Sequence, residues 1–237
     1  MDLSTFTPGS ALVVVIALAI APFFAVMVTS FTKIVVVLSL LRNALGLQQV
    51  PPNIVLNGLA LVLTLYVMYP VGQQMQAAIA DNTVQQAQAA AGVPAPGAPG
   101  GVGSALSSTG TMLNAVEAGK EPLRGFLLKH SSPSERGFFL KTAQRVADPN
   151  RAQDMTDRDF IVVIPAFVVR ELSLAFQVGF LIFLPFLVID LVISNILLAM
   201  GMMMLSPTTI SLPFKLLLFV LVDGWVKLAH GLALSYV

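Results

Sequence analysis

The sequence predicts an all-α, multi-pass membrane protein of two kinked helical hairpins, with a small helical, partly disordered insert facing outward. Three observations predict it. Of 237 residues, 56% are hydrophobic and 11% charged, with mean hydropathy +0.84, whereas roughly a quarter of a soluble domain is charged. The charges are segregated: residues 73–159 hold sixteen of the 25, eight of each sign. The rest of the chain carries only Asp2, Lys33, Arg42, Arg170, Glu171, Asp190, Lys215, Asp223 and Lys227. Finally, that remainder reads as apolar runs long enough to cross a ~30 Å hydrocarbon core.

Residues 1–72 are expected to form the first hairpin. The run 11–41 would be about 46 Å long as a helix at ~1.5 Å per residue, so one long helix kinked at Pro22 fits. A polar link from Arg42 to Asn53, closed by Pro51-Pro52, precedes a second apolar run over 54–71. Nothing basic precedes Lys33, so the first helix is expected to be retained rather than cleaved as a signal peptide. Arg42 lies in the one short cationic link, which the positive-inside rule assigns to the cytoplasm; both ends and the insert then face outward.

In the insert, residues 73–159, the Ala/Gly/Pro/Ser-rich stretch 85–111 cannot offset its ordering entropy and is expected to be a flexible linker. Ser132-Pro133-Ser134-Glu135 has the form of a capping box with proline at the first helical position. Thr156-Asp157-Arg158-Asp159 marks another helix start. The C-terminal block, 160–237, opens with an apolar run from Phe160 to Leu205, about 69 Å as helix at ~1.5 Å per residue. Two helices with a sharp break are expected, with Pro165 and Pro185 as candidate kinks. A non-helical stretch from Gly201 to Pro213 then precedes a last apolar segment, 214–234.

A net charge of +1 supplies no field for nucleic acid. The absence of cysteine excludes disulfides and thiolate metal sites. No Walker A, HExxH, GxSxG or GxGxxG run is present, and His130 and His230 stand apart from any carboxylate cluster. No metal, cofactor or catalytic site is expected.

Two features can carry function instead. An ionisable group in an apolar helix costs about 2.5–3.5 kcal/mol on insertion scales, so it usually faces protein or water. For Lys33 and Lys227 the plainer reading, snorkelling to a helix end, is preferred. Asp190 has no such escape: it is a subunit contact, an ion path or a hydrogen-bonded structural carboxylate. Arg170 and Glu171, about 100° apart on a helix, cannot face each other and are expected to pair with other helices or subunits. The second feature is Met200-Gly201-Met202-Met203-Met204-Leu205-Ser206-Pro207. Methionine conforms to irregular surfaces, and such a loop repeated round a ring would make an apolar constriction that excludes ions. Gap filling in a turn is the bland alternative.

These residues resemble a known family, the SctR/FliP inner-membrane proteins of bacterial type III secretion and flagellar export. The likeness runs through Thr29-Ser30-Phe31-Thr32-Lys33, Leu41-Arg42-Asn43-Ala44-Leu45-Gly46, Gln48-Gln49, Pro51-Pro52-Asn53 and Gly58-Leu59-Ala60-Leu61. It resumes at Pro122-Leu123-Arg124 with Phe126, and at Pro165-Ala166-Phe167, Glu171-Leu172, Ala175-Phe176, Gly179-Phe180 and Pro185-Phe186-Leu187. It closes with Ile189-Asp190-Leu191-Val192, Gly201-Met202-Met203-Met204, Ile210-Ser211-Leu212-Pro213-Phe214-Lys215 and Phe219-Val220-Leu221-Val222-Asp223-Gly224-Trp225.

The resemblance implies a homo-pentamer that joins a small hairpin subunit and a larger third subunit, of the SctS and SctT types, in a cone-like channel for unfolded secretion substrates. The export gate and inner-rod or needle components would be further partners. Gly201 and Met202–Met204 would form a gasket closing the pore, and Lys33, Arg42, Arg170, Glu171, Asp190, Lys215 and Asp223 would make intersubunit or buried polar contacts. The missing signal peptide, with Val50 and the Tyr66–Tyr69 variant, favours the injectisome branch. The rival from another class is an ion-coupled secondary transporter that uses Asp190 and Glu171 as a proton relay; the two blocks show no internal repeat in its favour.

Overall fold

The second apolar helix of the chain carries one buried stripe: Lys33, Ile34, Val37, Leu38, Leu41 and Ala44. These positions recur at the three- and four-residue spacing that keeps side chains on one helical face, and the core is built round them. In the computed structural model, residues 8–47, 49–91, 103–148, 152–202 and 204–236 are described. Among them lie eight α-helices and no strand: α1 Pro8–Met27, α2 Phe31–Ala44, α3 Asn53–Ala91, α4 Gly103–His130, α5 Pro133–Val146, α6 Phe160–Ala199, α7 Pro207–Leu221 and α8 Gly224–Leu234.

Two compact units are present. The first comprises residues 1–67 and 168–237. One of its apolar clusters gathers Ile34, Val37, Leu38, Leu56, Ala60, Ala175 and Leu232. A second gathers Leu41, Ala44, Leu45, Phe186 and Phe219. The contact between α2 and α6 is so close that a Cβ on Gly179 would collide with the Leu40 side chain.

The second unit, residues 68–167, buries Phe126, Leu127, Val162, Val163, Ala166 and Phe167. The rings of Phe126 and Phe167 lie 5.7 Å apart, and the Arg124 guanidinium sits 4.8 Å over Phe160. The surface pair Glu117–Lys120, 2.7 Å apart, holds the exposed Glu117 carboxyl below its ordinary range through a hydrogen bond from the ammonium.

Several expectations are corrected. The first apolar run is two helices, not one bent at Pro22, which lies within α1. The break falls at Val28–Ser30. Thr32 Oγ1 donates to the Val26 carbonyl at 3.1 Å, the acceptor a continuous helix would offer to the Ser30 N–H, so a side chain displaces the backbone there. Helix α3 runs on past residue 72 to Ala91, and α4 begins at Gly103, so both enter the stretch expected to be a linker; residues 92–102 of it lie outside the described residues.

The run from Phe160 is a single helix of 40 residues, unbroken at Pro165 and Pro185. Each proline removes one backbone donor, a loss that apolar helices of this kind accommodate. The non-helical stretch after it, 200–202 and 204–206 among the described residues, is shorter than expected, because Pro207 opens α7 and Pro213 lies inside it. The last apolar segment is broken in turn. Asp223 has φ +53, a left-handed conformation that aspartate tolerates better than most residues. The axes of α7 and α8 diverge by 60° there.

Ser132 does precede Pro133 at the start of α5, yet it makes no side-chain cap bond; its hydroxyl pairs with Ser134 Oγ at 2.8 Å. Helix α6 begins directly after the second start signal, and there Asp159 Oδ2 accepts from the Thr156 N–H at 2.8 Å. Among the described residues, two stretches, Asn53–Asn82 and Phe160–Ala199, are long and apolar enough to cross a membrane, and a third counts if the bent α7–α8 pair is one span.

Candidate functional site

Four charges of the first unit, Lys33, Glu171, Asp190 and Lys215, form two clusters, both touching α2. The first joins Lys33, Glu171 and Tyr236. Lys33 is 3% exposed and Glu171 1%; Lys33 Nζ lies 3.7 Å from Glu171 Oε2. The same carboxylate oxygen accepts a hydrogen bond from the Tyr236 phenol, and Lys33 Nζ stands 3.9 Å over the Tyr236 ring. Snorkelling is therefore overturned for Lys33. It shares the α2 stripe with Val37, so its stem points into the core and finds its counter-charge on α6. Glu171 lies one turn before buried Ala175 on the inner face of α6, while its neighbour Arg170 is exposed.

The second cluster ties α6 to α7 and to the end of α2. Lys215 Nζ donates to Asp190 Oδ2 at 2.6 Å and to the Ala44 carbonyl at 3.2 Å. Ser211 Oγ donates to Asp190 Oδ1 at 2.5 Å. Both oxygens of the carboxylate are thus occupied, and the ammonium sits at a helix C-terminus, where the dipole favours a cation. Helix α2 itself ends in a Schellman motif: Leu47 N–H reaches Arg42 O, Gly46 N–H reaches Asn43 O, and Gly46 has φ +79. Arg42 donates through Nη1 to Asn53 Oδ1 at 2.5 Å and to Pro51 O at 3.4 Å, closing the link between α2 and α3. Asp223 and Lys227 are exposed, Asp223 at the bend rather than within an apolar span.

The methionine loop leaves α6 by the same device. Met202 N–H bonds Leu197 O and Gly201 N–H bonds Leu198 O, with Gly201 at φ +73. That pair of bonds requires a left-handed residue at the turn, which glycine adopts without strain. Met200, Met202 and Met204 are exposed, Met204 completely; Met203 lies outside the described residues. At the far end, Ser206 and Pro207 begin α7. An apolar groove of about 460 Å³ opens between α2, α6 and α8, with Lys33, Val178, Phe186, Phe219, Leu228 and Leu232 in its walls. Among the described residues, no three His, Cys, Asp or Glu side chains gather as metal ligands. The His130 ring lies 4.7 Å from that of Phe126, tilted by 49°.

Reasoning from sequence missed Tyr236, Ser211 and Asn53 as partners of the charged residues. Tyr236 offers the one available signal, a phenol in apolar surroundings that requires a polar partner.

The family model described as FliP family matches residues 14–232. The chain belongs to the FliP family. Similar relatives include "Hypersensitivity response secretion protein HrcR" of Ralstonia nicotianae, 45% identical over 96% of this chain and 97% of the relative. "Yop proteins translocation protein R" of Yersinia pestis is 47% identical over 95% of this chain and 94% of its own. "Flagellar biosynthetic protein FliP" of Pectobacterium carotovorum is 43% identical over 95% of this chain and 77% of its own. FliP-family members thus carry names drawn both from secretion and from flagellar biosynthesis. The two ion clusters and the methionine loop lie within the matched span, except Tyr236.

Proposed function

We propose that this FliP-family chain is a core channel subunit of a type III secretion export apparatus in the bacterial inner membrane, of the injectisome branch. Copies assemble as a homo-pentamer with subunits of the SctS and SctT types, beside the export gate and the inner-rod or needle components, and pass unfolded secretion substrates. Residues 1–72 and 160–237 form the membrane part, and 73–159 the insert on the periplasmic side. The observation that carries the gating role is the loop at 200–206: three methionines are exposed on a backbone fixed by the Gly201 turn, a deformable apolar rim on a rigid helix end. Lys33, Glu171, Asp190 and Lys215 hold the scaffold, which speaks against the transporter reading, since a proton relay needs carboxylates that are not committed to ammonium partners.

Replacing Met202, Met203 and Met204 with alanine tests this reading in the complex reconstituted into planar bilayers. The expected result is leakage of small ions with assembly intact. Unchanged conductance in a mutant that still secretes would overturn the gasket.

A further inference from the structure

We propose that Tyr236 is the positioning residue for the Lys33–Glu171 pair, and that the three side chains act as one clip fastening the segment beyond α8 to α2 and α6. Each member touches both others: phenol to carboxylate, ammonium to carboxylate, ammonium to ring face. At 3.7 Å the Lys33–Glu171 contact is too long for a hydrogen bond. An ion pair that is buried to 3% and 1% exposure needs further hydrogen bonds to offset its desolvation. The Tyr236 phenol supplies one of them to Oε2, and its ring supplies a π face to Nζ. Tyr236 is itself 6% exposed, so its polar end is held inside the unit rather than in solvent. Lys33 and Ser235 also line the apolar groove, so the clip fixes the α8 wall of that groove. None of this depends on the channel reading.

A double-mutant cycle on the full chain in detergent tests it. Tyr236→Phe keeps ring and volume and removes only the donor. Its expected effect is a fall of roughly 2–4 °C in melting temperature in the otherwise native chain, the size of one lost hydrogen bond in a protein of this length. In a Lys33→Met/Glu171→Leu background the same change is expected to cost under about 1 °C, because the partners it serves are gone. Equal losses in both backgrounds, or none in the native chain, would overturn the proposal and leave Tyr236 a packing residue.

Should the double background fail to fold, an infrared measurement decides. Tyr66→Phe/Tyr69→Phe leaves Tyr236 as the one tyrosine of the three in the chain. Its isotope-labelled phenol C–O band is expected to shift on Glu171→Gln, which exchanges a charged acceptor for a neutral one. A band that does not move would overturn the proposal.

Discussion

Lys215 and Asp190, on successive helices, meet at 2.6 Å, and the same ammonium reaches back to the last-turn carbonyl of Ala44 on α2. Three helices therefore share one buried cation, which is 3% exposed.

Removing one member of this pair is expected to be far worse than exchanging both. Lys215→Met leaves Asp190 half-buried without its counter-charge, and a loss of about 3–5 kcal/mol is the order expected when such a pair is broken on one side. Asp190→Asn keeps an acceptor for Ser211 and is expected to cost less, while still reducing assembly. The measurement is thermal stability of the detergent-extracted chain, with native gels for oligomer size. An Asp190→Asn chain that assembles normally but loses proton flux would favour a transporter.

Gly201 carries the loop. Any residue with a Cβ at φ +73 is strained, and Gly201→Val is expected to cost about 1–2 kcal/mol by the general price of a left-handed L-residue. More tellingly, it is expected to re-aim Met202 and so raise ion leak through the reconstituted complex. The same substitution at Gly46, φ +79, is expected to lower stability without leak, which separates the loop from the scaffold.

Helices α2 and α6 touch at Gly179 and Leu40. Gly179→Ala places a methyl group against the Leu40 side chain, and overpacking of this kind costs typically about 1–3 kcal/mol. Leu40→Ala in the same chain is expected to restore much of that loss, read as the melting temperature of the double variant. A double variant less stable than Gly179→Ala alone would show that the strain lies elsewhere.

Two helix starts give opposite forecasts. Ser132→Ala is expected to change stability by less than about 0.5 kcal/mol, because the Ser132 hydroxyl makes no cap bond. Asp159→Ala removes the acceptor for the Thr156 N–H and is expected to cost about 1 kcal/mol, the size of one hydrogen bond. Urea titration of the two variants side by side checks the difference.

Helical class and membrane character were legible because both rest on composition and on runs of apolar residues. The α2 stripe went unread although its spacing was there: Lys33 falls in register with Val37, Leu41 and Ala44, and weighing that register against the nearby helix end would have shown the lysine buried. Helix breaks were read less well, because the reading rested on proline. Pro165, Pro185 and Pro213 all lie within helices, while the chain actually turns at Thr29-Ser30, through a hydroxyl taking a backbone acceptor, and at Asp223-Gly224. The latter is a turn dipeptide, yet the apolar run around it dominates any reading by hydropathy. Partners such as Tyr236 and Ser211 were not legible, since their contacts lie 65 and 21 residues away and depend on how α6, α7 and α8 fold back on one another.

The Lys33–Glu171 contact also sets a schedule for biosynthesis. About 140 residues separate the two, and a ribosome adding ~5–20 residues per second takes roughly seven to thirty seconds to make them. Throughout that interval α2 exists with an ammonium whose neutralising partner has not been polymerised. Entering a bilayer in that state carries the cost of an unpaired charge. Folding of the first unit therefore waits on α6: until Glu171 has been made, the α2 stripe carries a charge that it cannot bury at low cost.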